Sequence, residues 1–249
     1  MKNKNVLITG ASSGIGLECA KLFAKNGSNL ILFARRLERL EDIKRDLEKS
    51  FGVQVIIKKV DVRDRRQVTE GTTNLPNVDI LINNAGLAKG IEKIQEGNWE
   101  KWEQMIDTNI KGLLAVTRAL LPGMIERNIG HIINIGSIAG HETYPGGNVY
   151  NATKFAVNAL TRAIRMDLHG YNIRCSSVDP GMVETEFSIV RLDDKDKAKK
   201  VYEGFEPLRA EDIAETVYFV ASRPSHVNIQ DIVIMPTAQA SATLVNRKN

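Results

Sequence analysis

The chain has 249 residues, of which 43% are apolar and 26% charged, and its formal net charge is +4. This length and balance suit a single α/β domain, residues 1–249, with a large core and an ordinary water-soluble surface. Lys and Arg are scattered and largely matched by acids, which argues against a nucleic-acid surface and for an anionic small molecule as partner.

Met1-Lys2-Asn3-Lys4-Asn5 runs straight into a strand-like segment without an apolar signal region, and no stretch is apolar enough to span a bilayer. A cytoplasmic protein without a membrane partner is therefore expected. The first predicted strand, Val6–Thr9, passes through Thr9-Gly10-Ala11-Ser12-Ser13-Gly14-Ile15-Gly16 into a helix over Gly14–Asn26. The glycines permit a tight turn and close approach of backbone N–H groups to a phosphate, and the helix N-terminus adds a favourable dipole. Their spacing is G-x-x-x-G-x-G rather than G-x-G-x-x-G; position between an apolar strand and a helix gives the turn its meaning. The second strand, Leu30–Phe33, ends in Phe33-Ala34-Arg35-Arg36 and opens a helix over Leu37–Lys49. An NAD site ordinarily carries an acid at this strand end for the ribose hydroxyls, whereas two arginines suit a 2′-phosphate. Positive charge at a helix N-terminus carries a mild cost, so NADP is expected over NAD; two exposed arginines are the plainer alternative.

The third strand, Val55–Lys59, precedes Asp61, a candidate acceptor for an adenine amino group or else a turn cap, and a helix over Arg65–Thr72. Strand Ile80–Ile82 leads to Asn83-Asn84-Ala85-Gly86, whose small residues let backbone approach an adenosine ribose. In the long helix expected over Trp99–Glu126, Trp99, Trp102, Ile106, Asn109, Leu113, Val116 and Leu120 follow alternating spacings of three and four. Asn109 thus falls within an apolar stripe. A buried amide without partners costs about 1–3 kcal/mol, so Asn109 is either a satisfied core residue or part of a bend that holds a water linking Lys154 to solvent.

Strand His131–Ile135 runs through Gly136 to Ser137, whose hydroxyl can donate to a substrate carbonyl oxygen. The helix Tyr150–His169 places Tyr150 and Lys154 on one face. A tyrosine titrates near ~10, and bringing it to the operating pH takes roughly 4 kcal/mol of bias toward phenolate. A cation at ~4 Å in an effective dielectric near 20 supplies about that much, so a single well-placed Lys154 can suffice, and a positively charged nicotinamide ring would help further. Tyr150, Lys154, Val157, Thr161, Ile164 and Leu168 form one stripe, and Ala152, Ala156, Ala159 and Ala163 a second, suited to close approach by a second subunit or to core packing within the chain.

After strand Ile173–Val178 comes the turn Asp179-Pro180-Gly181. From Met182 to Leu208 no strand is predicted, and Asp193–Lys200 reads as a solvated charged helix. The whole segment, 182–208, is expected to be a mobile lid, because ligands of open α/β sheets bind at the strands' carboxyl ends. Helix Ala210–Ala221 and strand Ile232–Met235 complete the pattern: a doubly wound, seven-stranded parallel sheet with right-handed crossovers and helices on both faces. Cys19 and Cys175 stand alone, which points to neither disulfide nor metal.

The ordered set formed by the Thr9–Gly16 turn, Asp61, Asn83–Gly86, Asn109, Ser137, Tyr150–Lys154 and Pro180-Gly181 with Thr185 resembles the short-chain dehydrogenase/reductase family over nearly the whole chain. The resemblance implies a Rossmann fold that binds NADP, a tetrad of Asn109, Ser137, Tyr150 and Lys154, and homotetramers. It implies coenzyme contacts from Gly10, Ala11, Ser12, Ser13, Gly14, Ile15, Arg35, Arg36, Asp61, Val62, Asn84, Gly86, Tyr150, Lys154, Pro180, Gly181, Val183 and Thr185. A narrower likeness, to the NADP-dependent 3-hydroxy acid dehydrogenases that oxidise serine, allo-threonine and related acids, rests on five segments: Arg35–Leu40, Gly146–Tyr150, Thr185–Ser188 with Val190-Arg191, Val227–Ile229, and Met235-Pro236. The tail Ile232–Thr237 departs from the glycine-rich ending of the ketoacyl reductases. The expected reaction is hydride transfer between the C3 hydroxyl of a small 3-hydroxy acid and NADP, with Ser137, Tyr150, Gly181 and Arg191 toward the substrate. Arg191 either meets the substrate carboxylate or faces solvent. The alternatives are a carbonyl or 3-ketoacyl reductase and a non-catalytic NADP-binding sensor.

Overall fold

A computed structural model describes residues 1–248. Seven strands form one parallel sheet: β1 (Asn5–Thr9), β2 (Asn29–Ala34), β3 (Val55–Lys59), β4 (Ile80–Asn83), β5 (Gly130–Ile135), β6 (Ile173–Pro180) and, last in the chain, β9 (Asp231–Ile234). Their spatial order is β3-β2-β1-β4-β5-β6-β9. The seven expected strands are all present, each within two residues of its predicted ends.

The apolar runs are continuous because the sheet is covered on both faces. Val6 and Ile8 point into one core with Cys19 and Phe23 of α1 (Gly14–Lys25), Leu40 and Leu47 of α2 (Leu37–Phe51), and Ile213 and Val217 of α9 (Ala210–Ala221). Leu7 between them points into the other core, with Val68 of α3 (Arg65–Thr72), Val116 and Met124 of α5 (Leu113–Glu126), and Ile164 of α6 (Asn148–Asp167). Full burial of each such side chain contributes about 1.5–3 kcal/mol. Local chemistry sets the boundaries: Asp64 accepts from the N–H groups of Arg66 and Gln67 to start α3, and Gly52, at φ 65°, ends α2 in the left-handed conformation.

Three expectations need correction. The helix over Trp99–Glu126 is not continuous: α4 (Trp99–Ile106) gives way to a π-helical turn, Asp107–Gly112, before α5. The wider turn rotates the face ahead of it, so Trp99 and Ile106 are exposed while Met105 and Asn109 are buried. Second, the segment from Met182 to Leu208 does contain strand: β7 (Val183–Glu184) pairs in parallel with β8 (Leu208–Arg209). That pairing cinches the segment at its base and projects α7 (Glu186–Leu192) and α8 (Lys195–Lys200) as a flap. Third, the alanine stripe of α6 is not core packing: Ala152, Ala159 and Ala163 are exposed and Ala156 half-buried. No helix among the described residues is long and apolar enough to cross a membrane.

Candidate active site

The strand order reverses between β1 and β4, and a cleft of about 350 Å³ opens at the carboxyl ends of the strands there. At its centre is the turn from β1 to α1. Thr9 Oγ1 accepts from the backbone N–H groups of Asn84 and Ala85, at 3.0 and 2.9 Å, tying this turn to the loop after β4. A methyl on Gly16 would lie 2.6 Å from the Gly10 carbonyl oxygen, and Gly14 has φ 53°, so both positions require glycine. No side chain among the described residues caps α1, and its first turn carries no acid. Its free N–H groups and positive end therefore suit a phosphate.

Gly10, Ser12, Ser13, Gly14 and Ile15 line this cleft, as do Arg35, Arg36, Asp61, Val62, Asn84, Gly86, Pro180, Gly181, Val183 and Thr185. Ala11 does not: it is fully buried in the core, and its N–H donates to the Phe33 carbonyl, so its predicted coenzyme contact is not supported. Arg36 is held in place by Ser12 and Ser13, whose hydroxyls accept from its Nε and Nη2 at 2.7–3.2 Å. The remaining nitrogen, Nη1, meets Glu186 Oε2 of the flap at 3.0 Å, and Arg39 Nη1 meets Oε1 of the same carboxylate at 2.8 Å. The paired arginines hold the Glu186 carboxyl below its ordinary range. Asp61 is clasped by Arg63, whose Nη2 lies 2.6 Å from Oδ2 and whose N–H donates to Oδ1, so the turn-capping reading is realised; the guanidinium keeps this carboxyl ionised, an acceptor only.

At the other end of the cleft stand Ser137, Tyr150 and Lys154, all buried and all lining it. Lys154 Nζ donates to the Ile135 carbonyl at 2.9 Å and lies 5.9 Å from the centroid of the Tyr150 ring. Burial pulls the ammonium down to about 8, with Asp179 opposing. Burial pushes the Tyr150 phenol upward, reinforced by Tyr144, and Ser137 and Arg191 oppose the rise. In the coenzyme-free protein, then, Lys154 does not by itself offset the burial of this phenol. The cost of desolvating a phenolate exceeds what nearby donors return, and the ammonium is anchored on a carbonyl rather than on the phenol.

Asn109 does not line the cleft. Its Oδ1 accepts from Leu87 N–H and its Nδ2 donates to the Leu87 carbonyl, each at 2.9 Å, and to Thr153 Oγ1 at 3.0 Å. Thr153 in turn donates to the Tyr150 carbonyl at 2.8 Å. The helix widens into the π-helical turn here, and the amide is fully satisfied by protein, as the satisfied-core alternative expects. It braces the β4 loop against the turn of α6 that carries Tyr150.

Arg191 faces inward. Its Nη1 donates to the Tyr144 hydroxyl at 3.1 Å and its Nε to the Gly90 carbonyl at 3.3 Å. The guanidinium carbon lies 5.5 Å from the Tyr144 ring centroid and 5.7 Å from that of Tyr150. Arg191 makes no ion pair among the described residues; it is half-buried and, unlike Val190 beside it, is not one of the residues that line the cleft. Sequence reasoning missed Tyr144, Glu186 and Phe187, whose ring sits 5.7 Å from that of Tyr150. None carries a spacing signal, because each reaches the site from a loop or from the flap.

The family model for short chain dehydrogenases matches residues 4–196. The NADP-dependent 3-hydroxy acid dehydrogenase YdfG of Salmonella typhi is 48% identical over 245 residues, 96% of this chain and 97% of that protein. Sulfoacetaldehyde reductase 2 of Chromohalobacter salexigens is 44% identical over 249 residues, 97% of this chain and 98% of that one. Among solved structures, the closed form of serine dehydrogenase complexed with NADP+ superposes with a TM-score of 0.91 at 45% identity, covering 98% of this chain and all of that one.

Proposed function

The chain belongs to the short chain dehydrogenase family of oxidoreductases, and within it we propose an NADP-dependent enzyme that transfers hydride between NADP and the C3 hydroxyl of a small 3-hydroxy acid. The observation that carries this reading is the meeting of Tyr150, Lys154 and Ser137 at one end of the cleft, with the Arg191 guanidinium carbon 5.7 Å from the Tyr150 ring behind it. Relatives named for 3-hydroxy acids and for sulfoacetaldehyde share one substrate feature, an anionic group close to the reacting carbon. An arginine without a counter-ion beside the phenol fits that feature, since guanidinium binds such anions through two hydrogen bonds.

The uncapped α1 terminus, Ser12, Ser13 and Arg36 would hold the coenzyme's phosphates, and Asn84 and Gly86 its adenosine side. Bound there, NADP supplies a two-electron acceptor for hydride, and its reduced form a donor. In oxidation Tyr150, as phenolate, takes the O–H proton while the C–H bond gives up hydride; in reduction the protonated phenol returns that proton to the carbonyl oxygen. Ser137 donates to the same oxygen, and Lys154 biases the phenol electrostatically. Arg191 fixes the acid so that its third carbon faces these groups. In the coenzyme-free protein the flap, 182–208, is tethered on two sides, through Glu186 to Arg36 and Arg39 and through Asp193 to Lys89 at 3.0 Å; with the coenzyme bound it would act as a lid that excludes water, the Glu186 tether giving way to phosphate. The same reading includes a cytoplasmic homotetramer, whose contacts the exposed alanine face of α6 would supply.

The protein should oxidise L-serine, allo-threonine or 3-hydroxyisobutyrate with NADP and poorly with NAD, when assayed beside 3-ketoacyl thioesters and neutral ketones. Turnover confined to thioesters or neutral ketones would overturn the substrate assignment. A Tyr150→Phe protein that keeps full cellular function would favour a coenzyme sensor instead.

A further inference from the structure

Behind Tyr150 and Lys154 the wall of the site is polar in a way the reaction above does not use. Asp179, near the end of β6, has a side chain only 1% exposed. Its Oδ1 accepts from the Ser177 hydroxyl, and its Oδ2 lies 2.7 Å from His141 Nε2. The carboxylate presses against Gly136 so closely that a methyl there would overlap Oδ1. Gly136 joins Ile135, whose carbonyl anchors Lys154 Nζ, to Ser137. The buried carboxylate therefore underlies the loop that presents both groups. From α6, one turn beyond Lys154, Asn158 Nδ2 donates to the Gly140 carbonyl at 3.1 Å and lies 3.2 Å from His141 Nε2. The His141 side chain is 28% exposed, so this buried pair has one face in solvent.

We propose that Asp179 and His141 are positioning residues for the reaction: the buried carboxylate is the counter-charge that keeps Lys154 an ammonium in the cleft, and the imidazole keeps that carboxylate charged. The inference rests on the Tyr150–Lys154 reading above. A buried ammonium is costly unless an anion or strong acceptor lies near it. Asn158 from α6 and Ser177 from β6 contact the pair, Lys154 lies next to it across the Ile135 carbonyl and Gly136, and the neighbouring Glu142 is engaged by the N–H of Ala242. Lys154 is the cation among them. Charge effects agree in direction: Asp179 raises Lys154 against burial, and while burial leaves the Asp179 carboxyl above its ordinary range, Ser177, His141 and Lys154 oppose that rise.

The test is a pH titration of Lys154 by NMR in ligand-free protein carrying ¹³Cε-lysine, with the resonance assigned by its loss in Lys154→Met. The wild-type midpoint is expected near 8. Asp179→Asn should lower it by about one pH unit, and His141→Phe should lower it less. His141→Gln, which keeps an N–H donor toward Asp179, should restore most of the difference. The ammonium fraction at pH 8 would then fall from one half to about one eleventh, so reductive kcat at that pH should drop about fivefold in Asp179→Asn. Midpoints unchanged in folded Asp179→Asn and His141→Phe would overturn the assignment. Should Asp179→Asn fail to fold, the variants at the partly exposed His141 decide it: a wild-type midpoint in His141→Phe refutes the pair. A wild-type protein that turns over no acid-bearing substrate would refute the proposed function while leaving the titration readable.

Discussion

Removing the charge of Glu186 should tighten NADP binding rather than weaken it. One carboxylate pairs with both Arg36 and Arg39, at 3.0 and 2.8 Å, and Arg36 is one of the two arginines, with Arg35, proposed to meet a 2′-phosphate. The three side chains are 41–49% exposed, so each pair is worth at most ~1 kcal/mol. A phosphate that displaces the carboxylate gives up about that much. Glu186→Gln should therefore lower the Kd for NADP by roughly fivefold, or about 1 kcal/mol, and leave that for NAD within twofold. The gain should shrink as salt rises from 50 mM to 500 mM, since exposed charges are screened over a Debye length. Calorimetric titration of both coenzymes at the two salt concentrations measures this. A weaker NADP affinity in Glu186→Gln, with NAD unaffected, would show that the carboxylate orients the arginines instead of competing for them, and the reasoning would be wrong.

Tyr150→Phe should lower kcat by about 10²–10⁴-fold with little change in coenzyme affinity, checked by turnover and by NADPH fluorescence. Arg191→Ala should raise KM for carboxylate-bearing substrates by about 10–150-fold, the equivalent of ~1.5–3 kcal/mol, and leave neutral carbonyl substrates nearly unaffected; equal effects on both would remove the guanidinium from substrate binding. Lys154 titrates at about 8 folded against 10.5 in its ordinary state, so the unfolded chain binds its proton more tightly between those values, and its contribution to stability rises with pH through that window. Lys154→Met should thus be inactive yet melt at an equal or higher temperature at pH 7, with the advantage fading above about pH 10 in a melting series.

The fold was legible because its signals are local and repeated. Seven short apolar runs separated by helical periods leave little choice but a covered parallel sheet, and the Thr9–Gly16 turn places the phosphate end of the cleft. The phase of α4 was not legible, since a π turn inserts itself without altering the three-four spacing that Trp99 and Ile106 obey. The pairing of Val183 with Leu208 eluded the sequence for a different reason: two-residue strands have no period to read. Ser137, Tyr150 and Lys154 were found from strand ends and helix spacing, whereas His141, Asp179 and Tyr144 were not. Those three act through contacts 38 or more residues apart in the chain, or through a loop held by the flap, and no pattern within one element announces such contacts.

The charge state of the site follows from burial more than from the lysine. Burial disfavours both the Lys154 cation and the Tyr150 phenolate, so the resting protein stands closer to the form that donates a proton than to the form that accepts one. Ser137 and Arg191 are the groups that oppose the rise of the phenol. A carboxylate bound by Arg191 would cancel part of that opposition and hold the proton on Tyr150 more firmly still. If Arg191 binds the acid as proposed, it would leave the coenzyme-free site better suited to protonating a carbonyl oxygen than to taking the hydroxyl proton, a bias that the positive ring of the oxidised coenzyme would oppose.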